Sequence, residues 1–163
     1  MPDGTRPSGP GYDDDFYAWT QYQAEVLRTM PCDDNRFDRE HVAEEIEDLG
    51  KSERNTMRSE VRRIVEHFLK LSHSPAIEPR ADWLVPIANA RAELEERLTA
   101  TLRQDIEAEL PRLYLRARKI ASVALLSYGE ADAAAGFPQS FPYTLDQVLA
   151  DDWHPEPPQR EAR

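Results

Sequence analysis

A short acidic segment carries the side chains of this sequence that are best suited to bind a cation or a basic partner. Glu44, Glu45, Glu47 and Asp48 place four carboxylates within five residues, on the first half of a predicted long helix. Carboxylates in such a position bind a metal ion, pair with arginine or lysine, or remain hydrated. The segment therefore predicts a metal site, a surface that recognises a basic partner, or a solvated helix face.

The helical spacing of this segment separates its carboxylates into two groups. A turn of about 100° per residue places the apolar side chains together on one face, which consists of Val42, Ile46 and Leu49. Glu44 and Asp48 lie opposite that face, so we interpret them as solvated. Glu45 and Glu47 lie on its borders, where a half-buried carboxylate needs a cationic partner. We expect that partner to be an arginine inside the protein: Arg54, Arg58 or one on the fourth helix.

A metal site would have to combine these carboxylates with His67. The sequence has one cysteine and no Glu-x-x-His pair of the kind that di-iron bundles use. A metal-dependent hydrolase or an oxygen-handling enzyme is therefore an alternative function, with Glu44, Glu45, Glu47 and His67 as the candidate ligands. Our prediction assigns no catalytic residue, no cofactor and no metal.

Three arginines form a ladder one turn apart on the second helix: Arg54, Arg58 and Arg62. Such a ladder can bind phosphates, but no aromatic side chains alternate with it as single-strand binding requires. The formal net charge of −11, from 20 Lys and Arg against 31 Asp and Glu, also disfavours nucleic acid. We expect the ladder to face acidic side chains of a neighbouring helix, and nucleic-acid binding is the second alternative.

The apolar periodicity predicts the helices that position these groups, and no segment alternates as a strand would. We predict an all-α, single-domain bundle of four to five helices. The first helix starts at Asp13–Asp15 and ends at Pro31, with a buried stripe of Phe16, Trp19, Gln23, Val26, Leu27 and Met30. The second is long and ends before Ser74. Near Gly50 it either bends or is joined from two helices, and we favour one bent helix.

The remaining helices are predicted from caps and prolines. Asp82 is the predicted cap of the third helix, and a break near residues 99–101 precedes the fourth. Pro111 should bend or restart the fourth helix. Residues 131–142 read as a loop, and Thr144 caps a short C-terminal helix over residues 145–151.

Composition sets the expected domain limits and compartment. Residues 1–12 and 155–163 are rich in proline and poor in apolar residues, so we expect a disordered leader and tail around a domain at 13–154. No apolar run reaches the roughly 20 residues that a bilayer requires, and no secretory signal pattern is present. With the single Cys32, these features predict a cytoplasmic protein without a membrane partner.

Several segments together resemble the bacterial domain-of-unknown-function family numbered 29. The matching segments are residues 15–20 with Gln23, the acidic segment 44–50 with 52–54, residues 67–70, and the ending 141–149 with Asp152, Trp153 and Pro155. The resemblance implies an α-helical bundle in a bacterial cytoplasm and brings no established activity. Because an acidic surface steers association with basic proteins, we predict a non-enzymatic acidic helical protein that acts through protein–protein interaction, by self-association or with a basic partner.

Overall fold

Helices make up the regular structure of this chain. The computed structural model describes residues 9–159. Across that range there are six α-helices and no strands, which confirms the all-α prediction. The helices are α1 Phe16–Thr29, α2 Arg39–His73, α3 Arg80–Arg97, α4 Ala100–Ser127, α5 Ala131–Ala135 and α6 Leu145–Leu149. Four are long, and the last two have five residues each.

The first two helices begin and end close to their predicted limits. The Asp15 carboxylate caps α1 by accepting a hydrogen bond from the Ala18 N–H at 2.9 Å. The backbone becomes extended at Met30, directly before Pro31. Helix α2 then continues for 35 residues through Gly50. The single long helix is confirmed, and a junction of two helices at Gly50 is excluded.

Three predicted details of the later helices are wrong: the cap of the third helix, the loop at residues 131–135 and the end of the last helix. Helix α3 begins at Arg80 after Pro79, so Asp82 lies in its first turn and is not its cap. Helix α4 continues through Pro111, so of the two outcomes predicted at that proline the restart is excluded. Residues 131–135 form α5 instead of a loop. Helix α6 is capped by Thr144 as predicted, but it ends at Leu149.

The described chain divides into two compact units. The first contains residues 9–56 and Thr99–Arg103, and the second contains Met57–Leu98 and residues 104–159. In the first unit, α1 and the N-terminal half of α2 form a helical hairpin.

The predicted leader at 1–12 and tail at 155–163 lie partly outside the described residues, so their disorder stays a prediction. None of the helices in the described range has the length and hydropathy that would let it cross a bilayer.

The second unit contains most of the large apolar core. Most of its fully buried side chains come from α2, α3 and α4, and they include Val61, Ile64, Phe68, Ile87, Leu94, Ile106, Tyr114 and Leu125. Ile120 of α4 lies outside this core, since it is 40% exposed.

Arg91 fastens the C-terminal segment of the second unit to α3. Its buried guanidinium donates hydrogen bonds of 2.8–3.3 Å to four backbone carbonyls, those of Gln147, Val148, Asp151 and Trp153. The same group lies 5.5 Å from the centre of the Phe68 ring. The last carbonyls of a helix and those just after it have no hydrogen-bond donor within the helix. Arg91 provides the donors for these carbonyls.

Candidate functional site

The hairpin of the first unit is held together by small side chains. Thr20 and Ala24 of α1 and Ala43 of α2 are fully buried, and Gly50 is buried with them. A Cβ atom added at Gly50 would overlap the Thr20 hydroxyl and lie 2.8 Å from the Gln21 amide nitrogen. The side chains of Thr20 and Gln21 therefore occupy the space that a side chain at position 50 would need.

The contacts along the hairpin show that its two helices run antiparallel. Tyr17, near the start of α1, contacts Arg54 of α2, and Arg28, near the end of α1, contacts Glu40 near the start of α2. Thr20 and Gly50 meet between these two contacts. Each side chain of α1 can therefore be assigned to one side of the hairpin by its position around the helix.

One side of the hairpin is polar, and we call it the polar edge. The Arg28 guanidinium lies 2.5 Å from the Glu47 carboxylate and 3.3 Å from that of Glu40. Lys51 also reaches Glu47 at 3.2 Å, and the Gln21 side chain donates to the Glu47 carbonyl. The Arg28 and Lys51 cations lower the pKa of Glu47, so its carboxylate stays ionised near neutral pH.

The opposite side of the hairpin is apolar and open, and we call it the apolar edge. Val26 is 36%, Met30 38%, Val42 36% and Leu49 57% exposed. Turning about 100° per residue places Met30 of α1, and Val42 and Leu49 of α2, on the side away from Arg28 and Gln21. The predicted burial of Val26, Met30, Val42 and Leu49 is therefore wrong for this chain by itself.

Among residues 9–159, side chains cover the apolar edge only at one end. The Tyr12 ring lies edge-on to the rings of Phe16 and Trp19, with centroids 5.4 and 4.8 Å apart. Beyond that aromatic cluster, Leu27 and Ile46 are half-buried. The uncovered part of the edge extends from Leu49 to the start of α2.

The four carboxylates of the acidic segment differ in their exposure and in their ion-pair partners. Glu45 lies one turn from both Val42 and Leu49, on the border of the apolar edge, and it is exposed. Glu44 is exposed as well, and Asp48 pairs with Lys51 at 3.0 Å. Glu47 does have an internal ion-pair partner, but that partner is Arg28 with Lys51. The prediction of Arg54, Arg58 or a helix-four arginine is wrong for Glu47.

The arginine ladder faces groups inside the protein. Arg54 lies over the Tyr17 ring at 5.8 Å. Arg58 forms a two-pronged ion pair with Asp105 of α4, with distances of 2.7 and 2.6 Å. Arg62 lies 3.8 Å from Glu66 on its own helix. The expected pairing with an acidic neighbouring helix is present at Arg58.

His67, the histidine of the metal hypothesis, is half-buried on α2. Its Nδ1 lies 2.8 Å from the Arg63 carbonyl, the usual place for a donated proton. Burial lowers the pKa of the imidazole. Within residues 9–159, no group of three or more His, Cys, Asp or Glu side chains is arranged to hold a metal ion.

Helix α4 carries a second open face, with exposed apolar side chains that no predicted stripe includes. Leu115 is 58%, Val123 62% and Leu126 55% exposed, and these three share one side of the helix. Arg112, Arg116 and Lys119 are interspersed among them, and no acidic residue occurs between Glu109 and Glu130. We call this surface the basic face. The signal that could have revealed it is a second apolar period on α4, offset from the buried one.

The comparisons with known proteins agree with this architecture. The family described as domain of unknown function DUF29 matches residues 12–154. A crystal structure at 1.45 Å resolution of an alpha-helical protein of unknown function from Rhodospirillum rubrum ATCC 11170 is similar, with 29% identity and a TM-score of 0.77. The alignment covers 88% of this chain and 92% of that one. No curated protein matches the chain. Because the family match extends over most of its length, the chain belongs to the DUF29 family.

Proposed function

We propose that this protein acts by binding another protein through the apolar edge of its first hairpin. One observation carries the proposal: apolar side chains that recur with the period of a buried helix face are exposed on this chain. Scattered single apolar residues on a surface need no explanation, but a continuous open stripe marks an interaction site. The domain that would act in this way is the one at 13–154, in the bacterial cytoplasm.

The chemistry of the apolar edge defines the partner surface that fits it. Val42 and Leu49 offer apolar contact, and Glu45 between them offers an unpaired carboxylate within the described residues. A complementary surface is apolar with a cation next to its centre, because like charges at that point would repel. The partner is therefore a protein with a basic-rimmed apolar face.

A non-enzymatic role is supported by the engagement of the groups that chemistry would need. The Glu47 carboxylate is neutralised by Arg28 and Lys51, and the His67 imidazole is bonded to a backbone carbonyl. The Arg58 guanidinium, which nucleic-acid binding would use, is occupied by Asp105. These contacts favour protein interaction over the metal-enzyme and nucleic-acid alternatives.

Site-specific photo-crosslinking in the source bacterium tests the proposal. A benzoylphenylalanine at position 49 should give a discrete protein adduct, because Leu49 is 57% exposed on the uncovered part of the apolar edge. The matched control is the same amino acid at Asn55, an exposed position on a different side of the same helix. If position 49 gives no protein adduct beyond that at position 55, the apolar edge does not bind a protein.

A further inference from the structure

We infer that the partner of the apolar edge is a second copy of this chain, which docks with the basic face of its α4. This inference rests on the proposed function and deepens it by naming the partner. It predicts a contact between different surfaces of two copies, in which Glu45 of one copy meets Arg116 and Lys119 of the other.

The charge distribution of the chain points to this pairing. The protein carries a formal net charge of −11, yet residues 110–129 contain four cations and no acid. Arg116 and Lys119 are exposed on the basic face, and neither has an ion-pair partner within residues 9–159. Glu45 has none in that range either. Opposite charges left unpaired beside apolar side chains on two surfaces are the condition for mutual recognition.

The two surfaces also match in spacing. On α2, Glu45 lies between Val42 and Leu49, which are seven residues or roughly 10 Å apart along the helix. On α4, Lys119 lies between Leu115 and Val123, eight residues or roughly 12 Å apart. A helix-on-helix contact can therefore place the carboxylate and the ammonium at its centre, with apolar contacts on both sides.

Pairing each surface with itself is unfavourable by comparison. Two apolar edges in contact would bring Glu45 against its own copy, and two basic faces would bring Lys119 against Lys119. Like charges at the centre of an interface weaken association. A contact between unlike surfaces avoids that repulsion, and it closes as a two-fold dimer or continues as a chain of copies.

A charge-exchange experiment on the full chain tests the inference. The first variant carries Glu45→Lys on the apolar edge and Asp48→Lys one turn further along α2, and the second carries Arg116→Glu and Lys119→Glu on the basic face. All four side chains are exposed, so the fold should tolerate the changes. Sedimentation equilibrium measures the mass of each variant alone and of a one-to-one mixture. A control with Glu96→Lys and Glu107→Lys makes the same change of charge at exposed positions elsewhere.

The wild type should form a dimer or larger species, as should the control, and each charge variant alone should associate at least about tenfold more weakly. The mixture should regain wild-type association, because both of its possible contacts then join opposite charges. A monomeric wild type, association that charge reversal leaves unchanged, or a mixture that stays weak would each overturn the inference. Circular dichroism verifies that each variant folds. If a reversal variant loses helix signal, Glu45→Gln replaces the first variant, or Lys119→Gln replaces the second.

The crosslinking experiment separates failure of this inference from failure of the proposed function. An adduct at position 49 with a different protein, together with a monomeric wild type, overturns self-association and leaves the proposed function standing. The absence of any adduct at position 49 overturns both.

Discussion

At the scale of single residues, Gly50 fixes how closely the two helices of the hairpin pack. Glycine inside a helix is less favourable than alanine by about 1 kcal/mol. Here the missing side chain leaves room for Thr20, which is fully buried and donates its hydroxyl to the Tyr17 carbonyl at 2.7 Å. Thr20 is β-branched, so its side chain cannot turn aside easily.

We predict that Gly50→Ala lowers the free energy of unfolding by about 1–3 kcal/mol, because overpacking outweighs the gain in helix propensity. In a Thr20→Ala background the same change should be neutral or stabilising, since the overlapping hydroxyl is gone and the Gln21 side chain can move. Urea unfolding of the four proteins of this double-mutant cycle measures the coupling.

Asn55→Ala provides the control for helix propensity, because Asn55 is an exposed position of α2. It should stabilise the protein by a few tenths of a kcal/mol up to about 0.7 kcal/mol. Equal effects of Gly50→Ala in the two backgrounds would show that Thr20 does not set the helix separation.

At the scale of helices, caps and breakers made most boundaries predictable. Asp15 caps α1, Pro31 follows its end, and Thr144 with Gln147 forms a capping box at α6. These signals act over one turn and depend on local sequence alone. Helix α5 was not predicted, because its five residues are too few to show a helical period of apolar residues.

The side that each hairpin helix buries was not predictable in the same way. Hydropathy favours the face with the largest apolar residues, such as Val42 and Leu49, whereas the close contact uses Ala24, Ala43 and Gly50. Small residues bury little area but allow backbones to approach. An apolar period shows that a face prefers to leave water, and it does not show whether the same chain or another one covers it. The partner of Glu47 was missed for this reason, because Arg28 reaches it only when the small-residue faces meet.

The C-terminal segment contributes a pH dependence through Tyr143. Its ring packs edge-on against those of Phe68 and Trp153, with centroids 5.3 and 5.8 Å away. Burial raises the pKa of the Tyr143 phenol to about 12, and a hydrogen bond to the Ser72 hydroxyl offsets part of that rise. In the unfolded chain the phenol has its ordinary pKa of about 10.

The raised pKa means that folding favours the neutral phenol. Its contribution is fully present below about pH 10 and is lost as the pH rises towards 12. We predict that wild-type stability falls by about 2 kcal/mol more than that of Tyr143→Phe over this interval. Urea unfolding at successive pH values measures the difference. Tyr128→Phe, at a 66% exposed tyrosine, should follow the wild type, and a parallel course for Tyr143→Phe would contradict the prediction.

At the scale of the whole molecule, the distribution of charge matters more than its sum. The net charge of −11 makes any two copies repel at a distance. Residues 110–129, with four cations and no acid, are locally positive in this negative protein. In the proposed contact, Glu45 of a second copy pairs with these cations, and apolar side chains lie beside it. Association through these surfaces must therefore depend on short-range contact, which exists only in the folded chain.

The self-association that we propose requires the fold, so the stability of this protein should depend on its concentration. For a dimer that dissociates on unfolding, the apparent free energy of unfolding rises by about 1.4 kcal/mol for each tenfold increase in concentration. We predict such a rise for the wild type in urea unfolding at concentrations a hundredfold apart. The variant with Arg116→Glu and Lys119→Glu should give superimposable curves over the same range. Superimposable curves for the wild type would mean that the folded chain gains nothing from a second copy, and the open stripe on its hairpin would then need a different partner.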